Sequence, residues 1–265
     1  MTAESGYLLG NEQRQAGARF GALAALFDPS TFRHIERLGI GSGENAWHCW
    51  EVGAGGDSVP AWLAARAARV LATDIDTSWL PDGAPYEVLR HDVGTEPAPD
   101  GPFDRVHARL VLVHVTRRAE ALRAMVSAVR PGGWLLLEEA DPALQPLACP
   151  DEAGDAERLA NLLKNGFREL MATRGVDLAY GRRLPRLLRE AGLADVGADA
   201  YFPLASPACD ALEIATTEQI RERLVAAGIA TDEQVDEHLA NVRSGRLDLA
   251  TSPMVSAWGR KPSIP

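Results

Sequence analysis

The stretch WHCWEVGAGGDS at residues 47–58 constrains the fold more than any other part of the sequence. An apolar strand pattern ends in the acidic Glu51, and a Gly-x-Gly turn follows at Gly53 and Gly55. A second acidic residue, Asp74, ends the next apolar run, 19 residues after Gly55 (74 − 55). A strand, a glycine turn and a helix, followed by an acid at about this distance, form a nucleoside-binding arrangement. The pattern therefore predicts a ligand that contains adenosine.

The charge beside the glycine turn indicates which adenosine ligand is favoured. A dinucleotide site needs a third glycine where the turn enters the helix, because the pyrophosphate sits at that helix N-terminus. Asp57 lies where the turn enters the helix. A carboxylate ~4 Å from a phosphate oxygen opposes binding by roughly 4 kcal/mol at an intermediate effective dielectric. S-adenosylmethionine has no phosphate and carries a sulfonium and an ammonium cation, which are favoured by the acidic Glu51, Asp57, Asp74 and Asp92.

Apolar runs alternate with helical patterns along the first half of the chain. The runs predict strands at residues 47–52, 69–74, 86–89, 103–108, 134–138, 196–204 and 254–258. The first five alternate with helices, which predicts an α/β fold with a doubly wound sheet. The run at 134–138 is continuously apolar, as in a parallel strand that is buried on both faces.

Apolar residues at helical spacing predict the helices. The pattern runs through residues 6–40, with a break at Asp28-Pro29-Ser30 and a second helix at 31–38. Ser58 is predicted to cap the next helix. Pro131-Gly132-Gly133 is predicted to end the helix that follows the fourth strand. Further helices are predicted at residues 151–174, 184–191 and 217–243.

The length of 265 residues suits one large α/β domain with a helical lid. We therefore expect a single domain over residues 1–265. Its predicted parts are an N-terminal helical cap at 1–40, a cofactor-binding core at 46–141, lid segments at 142–182 and 210–247, and a final strand at 250–260.

The composition disfavours several classes of function. A formal net charge of −10 and a sequence pI of about 5.1 would make the chain repel a phosphate backbone. The three cysteines lack a Cys-x-x-Cys spacing, which argues against a disulfide framework or a zinc site. No apolar stretch reaches the ~20 residues that a membrane span needs. We expect a cytoplasmic protein that requires no metal and has neither nucleic acid nor membrane as a partner.

Five sequence motifs, taken together, resemble the class I S-adenosylmethionine-dependent methyltransferases of the small-molecule branch common in bacteria. The resemblance covers residues 47–140, about a third of the chain. It implies the Rossmann-like methyltransferase fold, a seven-stranded sheet that is mostly parallel, with residues 254–258 as an antiparallel last strand. The motifs are Glu51-Val-Gly-Ala-Gly-Gly56, Asp74, Arg90-His-Asp-Val93, Phe103-Asp-Arg-Val-His-Ala-Arg-Leu110 with His114, and Arg130-Pro-Gly-Gly-Trp-Leu-Leu-Leu137.

The resemblance also implies how the cofactor S-adenosylmethionine is held. The Gly53-Ala54-Gly55 turn would let the backbone approach the methionine part of the cofactor. Asp74 would accept hydrogen bonds from both ribose hydroxyls, and Ile75 would pack on the adenine ring. Asp92 would receive the adenine amino group, and Val93 would donate its backbone N–H.

Three further residues are implied to contact the cofactor. Arg109, at the end of the fourth strand, lies where the family lines the cofactor cleft. Tyr7 and Arg14 resemble residues that close over the cofactor from an N-terminal arm in related enzymes. The predicted helical segments outside the core would cover the substrate, and they match no functional motif.

Two residues are candidates for proton transfer in catalysis. His114 follows the fourth strand at the carboxyl edge of the sheet, where ligands of such folds bind, and a histidine can take a proton from an acceptor. Glu139 belongs to an acidic cluster with Glu138 and Asp141 at the end of the fifth strand. Each candidate has a structural alternative, either a packing histidine or a solvated carboxylate. His107, inside a strand, is expected to be structural.

The sequence predicts methyl transfer to an oxygen, nitrogen or carbon atom of a small-molecule acceptor, in secondary metabolism. Alignment of the acceptor with the sulfonium methyl group would supply much of the acceleration. Two alternatives stay open: a non-methylating enzyme that uses the bound cation for a cyclisation or rearrangement, and a nucleotide-binding regulatory protein without chemistry. An NAD-dependent oxidoreductase is disfavoured by Asp57. The acceptor and the oligomeric state are left open, with a homodimer as one alternative.

Overall fold

The computed structural model describes Leu9, residues 15–39 and residues 47–263. The predictions that concern Tyr7 and Arg14 lie outside these residues. The helices are α1 Gln15–Arg37, α2 Ser58–Ala64, α3 Arg118–Ala128, α4 Asp155–Thr173, α5 Leu184–Glu190, α6 Pro207–Ala226 and α7 Asp232–Arg243. The strands are β1 His48–Val52, β2 Arg69–Asp74, β3 Glu87–Arg90, β4 Phe103–Arg109, β5 Val129–Ala140, β6 Ala194–Tyr201 and β7 Met254–Arg260.

The strands form one sheet of seven, in the order β3-β2-β1-β4-β5-β7-β6, within the part of the chain that the structure describes. Strand β7 is antiparallel to both of its neighbours, β5 and β6, and the other pairs are parallel. This confirms the predicted doubly wound α/β fold with an antiparallel last strand. The strand order reverses between β1 and β4, and folds of this kind bind ligands at the carboxyl ends of the strands beside such a reversal.

The chain divides into two compact units. The sheet unit comprises Asp28–Ala140, Tyr180–Tyr201 and the chain from Met254 onward, and the helical unit comprises Asp141–Ala179, Phe202–Pro253 and the described residues up to Phe27. The division of one domain into core, cap and lid stays a prediction.

Each unit has its own apolar core. In the sheet unit, β1 and β2 bury nearly every residue, and helix α2 covers them with Val59 and Leu63. Burial on both faces is what continuous apolar runs in parallel strands indicate. In the helical unit, Leu163 of α4 packs with Leu224 of α6 and Leu239 of α7. None of the helices in the described ranges is long and apolar enough to cross a membrane.

The predicted break in the first helix is wrong, because α1 continues through Pro29. Proline removes one intrahelical hydrogen bond and normally ends a helix. Tertiary contacts hold the segment after it: Asp28 pairs with Arg109 at 2.8 Å, and Arg105 donates to the carbonyl oxygens of Ile35 and Leu38 at 3.1 and 3.0 Å. These contacts stabilise the C-terminal part of α1 and override the local signal.

Two turn predictions also differ from the structure. Pro131-Gly132-Gly133 does not end a helix, because α3 stops at Ala128 and the motif lies inside β5. A side chain at Gly133 would approach the carbonyl oxygen of Asp104 to 2.7 Å, so a glycine allows β5 to lie close to β4 there. Ser58 is the first residue of α2, and Asp57 takes the N-cap position without a side-chain cap.

The predicted helix at 217–243 is two helices, α6 and α7. The chain turns at Gly228, where φ is +68°, and α7 begins with a capping box between Thr231 and Gln234. Both signals are present in the sequence, since a glycine ends a helix and Thr-x-x-Gln begins one. The apolar spacing continued across the turn and concealed them.

Candidate functional site

The glycine turn after β1 adopts a left-handed backbone that favours glycine. Gly53 and Gly55 both have a φ of +62°. A Cβ atom on Gly53 would lie 2.4 Å from Cγ2 of Val111, which lies two residues after the end of β4. Ala54 donates its backbone N–H to the carbonyl oxygen of Thr73 at 3.0 Å. The turn is therefore pressed between the ends of β2 and β4, which fixes its backbone.

Asp74 joins the end of β2 to this turn. Its Oδ2 accepts a hydrogen bond from the Gly55 N–H at 2.8 Å, and its Oδ1 accepts one from the Asp76 N–H at 3.0 Å. Burial raises the pKa of Asp74 above its usual value, although these N–H groups lower it in part. Each carboxylate oxygen has two lone pairs, so each can accept one further hydrogen bond.

The residues predicted to bind adenine lie next to Asp74 along the strand ends. His91 donates its N–H to the carbonyl oxygen of Asp74 at 2.9 Å, which brings Asp92 beside the end of β2. Asp92 Oδ1 accepts from the Gly94 N–H at 2.8 Å, so the loop fixes its orientation. Ile75 is 55% exposed, which is unusual for a large apolar side chain beside a buried acid. Val93 is buried.

Asp57 holds a negative charge at the entry of α2. Its Oδ1 accepts a hydrogen bond of 2.6 Å from the hydroxyl of Tyr86, and burial together with Asp57 raises the pKa of Tyr86. The residue sits at the N-cap of α2, directly before Ser58, which is the third-glycine position of a dinucleotide site counted from Gly53. The carboxylate therefore lies at the position where it would oppose a pyrophosphate.

Arg109 contacts helix α1 at the end of β4. Its Nη1 lies 2.8 Å from Oδ1 of Asp28 and donates to Oγ1 of Thr31 at 3.0 Å. These contacts identify a role in holding α1 against the sheet. The cofactor contact implied for Arg109 stays a prediction.

Glu51 belongs to a buried charge cluster that the sequence did not predict. Its Oε2 lies 2.7 Å from Nδ1 of His107, and Nε2 of the same imidazole lies 3.3 Å from Oε2 of Glu138. All three side chains are at most 3% exposed. Burial lowers the pKa of His107, but the two carboxylates raise it to a net value of about 9.

Glu138 extends the cluster to three further elements of the sheet unit. The hydroxyls of Thr31 on α1 and Ser256 on β7 both donate to it, the second at 2.6 Å. His34 Nδ1 lies 3.4 Å away, and His34 Nε2 reaches Asp199 of β6 at 2.9 Å. Burial raises the pKa of Glu138, but the neighbouring cations lower it more, so its pKa is well below the usual range.

The two predicted catalytic residues are both associated with the short 3-10 turn Leu112–His114: His114 is its last residue, and Glu139 of β5 contacts its backbone. Oε1 of Glu139 accepts hydrogen bonds from the N–H groups of Val111, Leu112 and Val113 at 3.1, 2.6 and 3.4 Å. Burial raises the pKa of Glu139 to about 8, against the lowering effect of these donors. Glu139 therefore shapes the turn that presses on Gly53. His114 is exposed at the end of the same turn.

A separate polar cluster lies inside the helical unit. Glu213 of α6 pairs with Nε2 of His238 on α7 at 3.1 Å and lies 3.9 Å from Nζ of Lys164 on α4. Burial raises the pKa of Glu213, but Lys164 and His238 lower it to about 2. The cluster links the three helices that form the core of this unit. Across the ranges that the structure describes, no group of three or more His, Cys, Asp or Glu side chains is arranged to hold a metal ion.

Comparisons with known proteins agree with this geometry. Residues 50–137 match a family described as a methyltransferase domain. Methyltransferase str2 of Strobilurus tenacellus is 30% identical over 200 residues, which are 72% of this chain and 65% of that protein. Methyltransferase str3 of the same organism is 31% identical over 157 residues, which are 57% and 50% of the two chains. The chain thus spans between half and two thirds of the length of these curated relatives.

A solved structure shows the same fold at low sequence identity. It is a phosphoethanolamine N-methyltransferase 2 of Haemonchus contortus, in complex with phosphomonomethylethanolamine and S-adenosylhomocysteine. The match has a TM-score of 0.59 and 15% identity, and covers 99% of this chain and 61% of that one. The domain match and the relatives support a class I S-adenosylmethionine-dependent methyltransferase, and the strand order is that of the Rossmann-like methyltransferase fold.

Proposed function

We propose that the chain binds S-adenosylmethionine at the ends of β1, β2 and β3 and transfers its methyl group to a small-molecule acceptor. The observation that carries this proposal is the carboxylate of Asp74, which is fixed by the Gly55 N–H at 2.8 Å and retains hydrogen-bonding capacity on both oxygens. The exposed Ile75 beside it offers an apolar surface to a flat ring. An acid for two hydroxyls next to an apolar surface suits a nucleoside.

The residues present fit this cofactor better than a dinucleotide. Asp74 would hold the ribose hydroxyls, Ile75 the adenine face, and Asp92 with Val93 the adenine edge. The methionine part would lie along the Gly53–Gly55 turn, near Glu51, the acidic residue of β1. Asp57 supports this choice because its carboxylate, held by Tyr86, would repel a diphosphate. When bound, the cofactor supplies a methyl group that its positive sulfur already activates.

The chain's own contribution would be mainly positioning. A fixed glycine turn and a fixed Asp74 orient the donor, and an acceptor held in line needs little further chemical help. We propose His114 as the group that takes the acceptor's proton, because it is exposed at the carboxyl edge of the sheet. Glu139 is engaged by three backbone N–H groups, which favours a structural role for it.

The acceptor is proposed to be a small molecule. The net charge of −10 makes a polyanionic substrate unfavourable. An acceptor from secondary metabolism, and the choice among oxygen, nitrogen and carbon, stay predictions from the sequence.

Calorimetry and a product assay test the proposal together. The purified chain would be titrated with S-adenosylhomocysteine and, separately, with NADH. We expect binding of the thioether and none of NADH, and the reverse result would overturn the proposal. The chain would then be incubated with S-adenosylmethionine and a panel of phenols, amines and activated carbon acids. Release of S-adenosylhomocysteine with one of them supports methyl transfer, whereas binding without release favours a non-methylating or regulatory role.

A further inference from the structure

The cluster of Glu51, His107 and Glu138 buries three ionisable side chains in the middle of the sheet unit. They belong to three neighbouring strands, β1, β4 and β5. Burying charged groups is unfavourable unless they are paired and hydrogen-bonded. An apolar core would be simpler to build at this position, so the cluster calls for a functional explanation.

The geometry of the cluster requires His107 to be a cation. Its two ring nitrogens face carboxylate oxygens on opposite sides, Glu51 at 2.7 Å and Glu138 at 3.3 Å. A neutral imidazole has one N–H donor, so one of its nitrogens would direct a lone pair at an anionic oxygen. Only the doubly protonated ring donates to both carboxylates. The raised pKa of His107 agrees with this geometry.

The far side of His107 is fixed by Glu138. Hydroxyl groups of Thr31 and Ser256 donate to this carboxylate, which favours its ionised form and prevents rotation. Glu138 therefore holds one side of the His107 ring in a fixed position. The other side of the ring contacts Glu51.

Glu51 lies two positions before Gly53, the first residue of the proposed cofactor turn. His107 holds its Oε2, and its Oε1 makes no hydrogen bond to any residue in the described ranges. A buried carboxylate with one oxygen occupied and one available can present a negative charge in a single direction. The cofactor of the proposed function carries its ammonium group on the methionine part, which would lie along this turn.

We propose that His107 is a positioning residue, which keeps the carboxylate of Glu51 oriented toward the ammonium group of the bound cofactor. The inference rests on the proposed function, because it needs a ligand with a cationic amino-acid end. Without the imidazolium, the Glu51 carboxylate would lose the hydrogen-bonding partner that fixes its direction. A displaced Glu51 would attract the ammonium group less but would leave the adenosine contacts of Asp74 unchanged.

Two ligands separate this role from a general effect on the fold. S-adenosylhomocysteine carries the amino-acid end, and 5′-methylthioadenosine has the same nucleoside and sulfur without it. In His107→Gln we expect the affinity for S-adenosylhomocysteine to fall by about 10- to 100-fold, the range of a lost charged hydrogen bond. The affinity for 5′-methylthioadenosine should stay within about twofold. An equal loss for both ligands, or no loss for either, would overturn the inference.

The variant His238→Gln is the matched control. His238 is also fully buried and also pairs with a glutamate, Glu213, but it belongs to the helical unit. Its substitution should change the affinity for neither ligand. Combining His107→Gln with Glu51→Gln should add no loss to that of Glu51→Gln alone, because both changes remove the same interaction with the ammonium group.

The wild-type chain gives a readout that does not depend on a folded variant. With ¹⁵N-labelled histidine, we expect both ring nitrogens of His107 to be protonated at pH 8, where an ordinary histidine is neutral. A neutral tautomer at that pH would overturn the inference even if the wild-type chain binds S-adenosylhomocysteine. Failure of the wild-type chain to bind S-adenosylhomocysteine would instead refute the proposed function.

Discussion

The hydroxyl of Tyr86 donates a hydrogen bond of 2.6 Å to the carboxylate of Asp57 at the entry of helix α2. The bond fixes a negative charge at a helix N-terminus, the place where a dinucleotide-binding turn would hold a pyrophosphate. Under the proposed function, the charge of Asp57 would disfavour a dinucleotide relative to S-adenosylmethionine.

Replacing Asp57 should relax this discrimination. In Asp57→Gly we expect measurable binding of NADH, because the charge that opposes the pyrophosphate is gone, while the affinity for S-adenosylhomocysteine changes by less than about threefold. Fluorescence titration with NADH checks the first part and calorimetry the second. Tyr86→Phe is the control, since it removes the donor and keeps the charge. Continued exclusion of NADH by Asp57→Gly would contradict the electrostatic explanation.

Asp74→Asn should weaken cofactor binding more than any change at an exposed acid. The amide cannot accept from two backbone N–H groups and two ribose hydroxyls at once, so we expect a loss of about 1–3 kcal/mol in the free energy of binding S-adenosylhomocysteine. Calorimetry measures the dissociation constant. Asp82→Asn, at an exposed position, should leave it unchanged. Unaltered affinity in Asp74→Asn would remove Asp74 from the proposed site.

Gly53 and Gly83 both have a positive φ, but of these two only Gly53 lacks room for a Cβ atom. Gly83 has a φ of +72° and open space around it, whereas Gly53 has a φ of +62° and Val111 within 2.4 Å of a Cβ atom. We expect Gly83→Ala to cost about 1–2 kcal/mol in the free energy of unfolding, and Gly53→Ala to cost about 1–3 kcal/mol more. Urea denaturation measures both. Adding Val111→Ala to Gly53→Ala should restore only the part of the stability that is lost to the steric clash. Equal losses of stability in Gly53→Ala and Gly83→Ala would contradict the close approach of Val111.

Glu139→Gln should retain turnover if the structural role is correct. The amide oxygen can still accept the three N–H groups of the turn, whereas Glu139→Ala leaves them without a partner and should lower the free energy of unfolding by about 1–3 kcal/mol. Release of S-adenosylhomocysteine and thermal unfolding are measured in parallel. His114→Ala should lower the rate of turnover at unchanged stability. Loss of turnover in Glu139→Gln with full stability would restore Glu139 as a catalytic base.

The charge cluster also makes stability depend on pH in a stated direction. The folded chain holds the His107 proton up to a pKa of about 9, against 6.5 for an ordinary histidine. The contribution of this proton is therefore complete below pH 6.5 and is lost as the pH rises through 9. Of the charged groups around the ring, Glu51 and Glu138 face it directly, with His34 and Arg109 beyond them.

Thermal unfolding of the wild-type chain and of His107→Gln between pH 6 and pH 9.5 checks this direction. We expect the stability difference between them to shrink as the pH rises. A difference that is constant across the range would mean that His107 does not change its protonation state on unfolding.

The sequence predicts the parts of this fold that depend on local pattern. Strand β2 has the predicted bounds, Arg69–Asp74, because its apolar run is bounded by an arginine and an acid. The seven-stranded sheet with an antiparallel last strand follows from the family resemblance. Helix α1 could not, because what carries it through Pro29 is a set of contacts with β4 that no local pattern contains.

In the candidate site, the sequence predicts the residues of one local unit but not the partners that come from distant elements. Asp74 and the glycine turn follow from spacing within one strand–turn–helix unit. The partners of Glu51 and Glu138 come from α1, β4 and β7, and their sequence separations give no periodic signal. The roles of Thr31 and Ser256 were therefore missed, since an isolated hydroxyl residue in a helix or strand has no distinguishing context.

Strand β7 lies between β5 and β6, and this order has a consequence for synthesis. In the described chain β6 has β7 as its one hydrogen-bonded neighbour, so residues 194–201 cannot join the sheet until residues 254–260 have left the ribosome. The segment 202–253, with two helices of the helical unit, emerges in between. We expect those helices to begin folding on the nascent chain while the sheet is still incomplete.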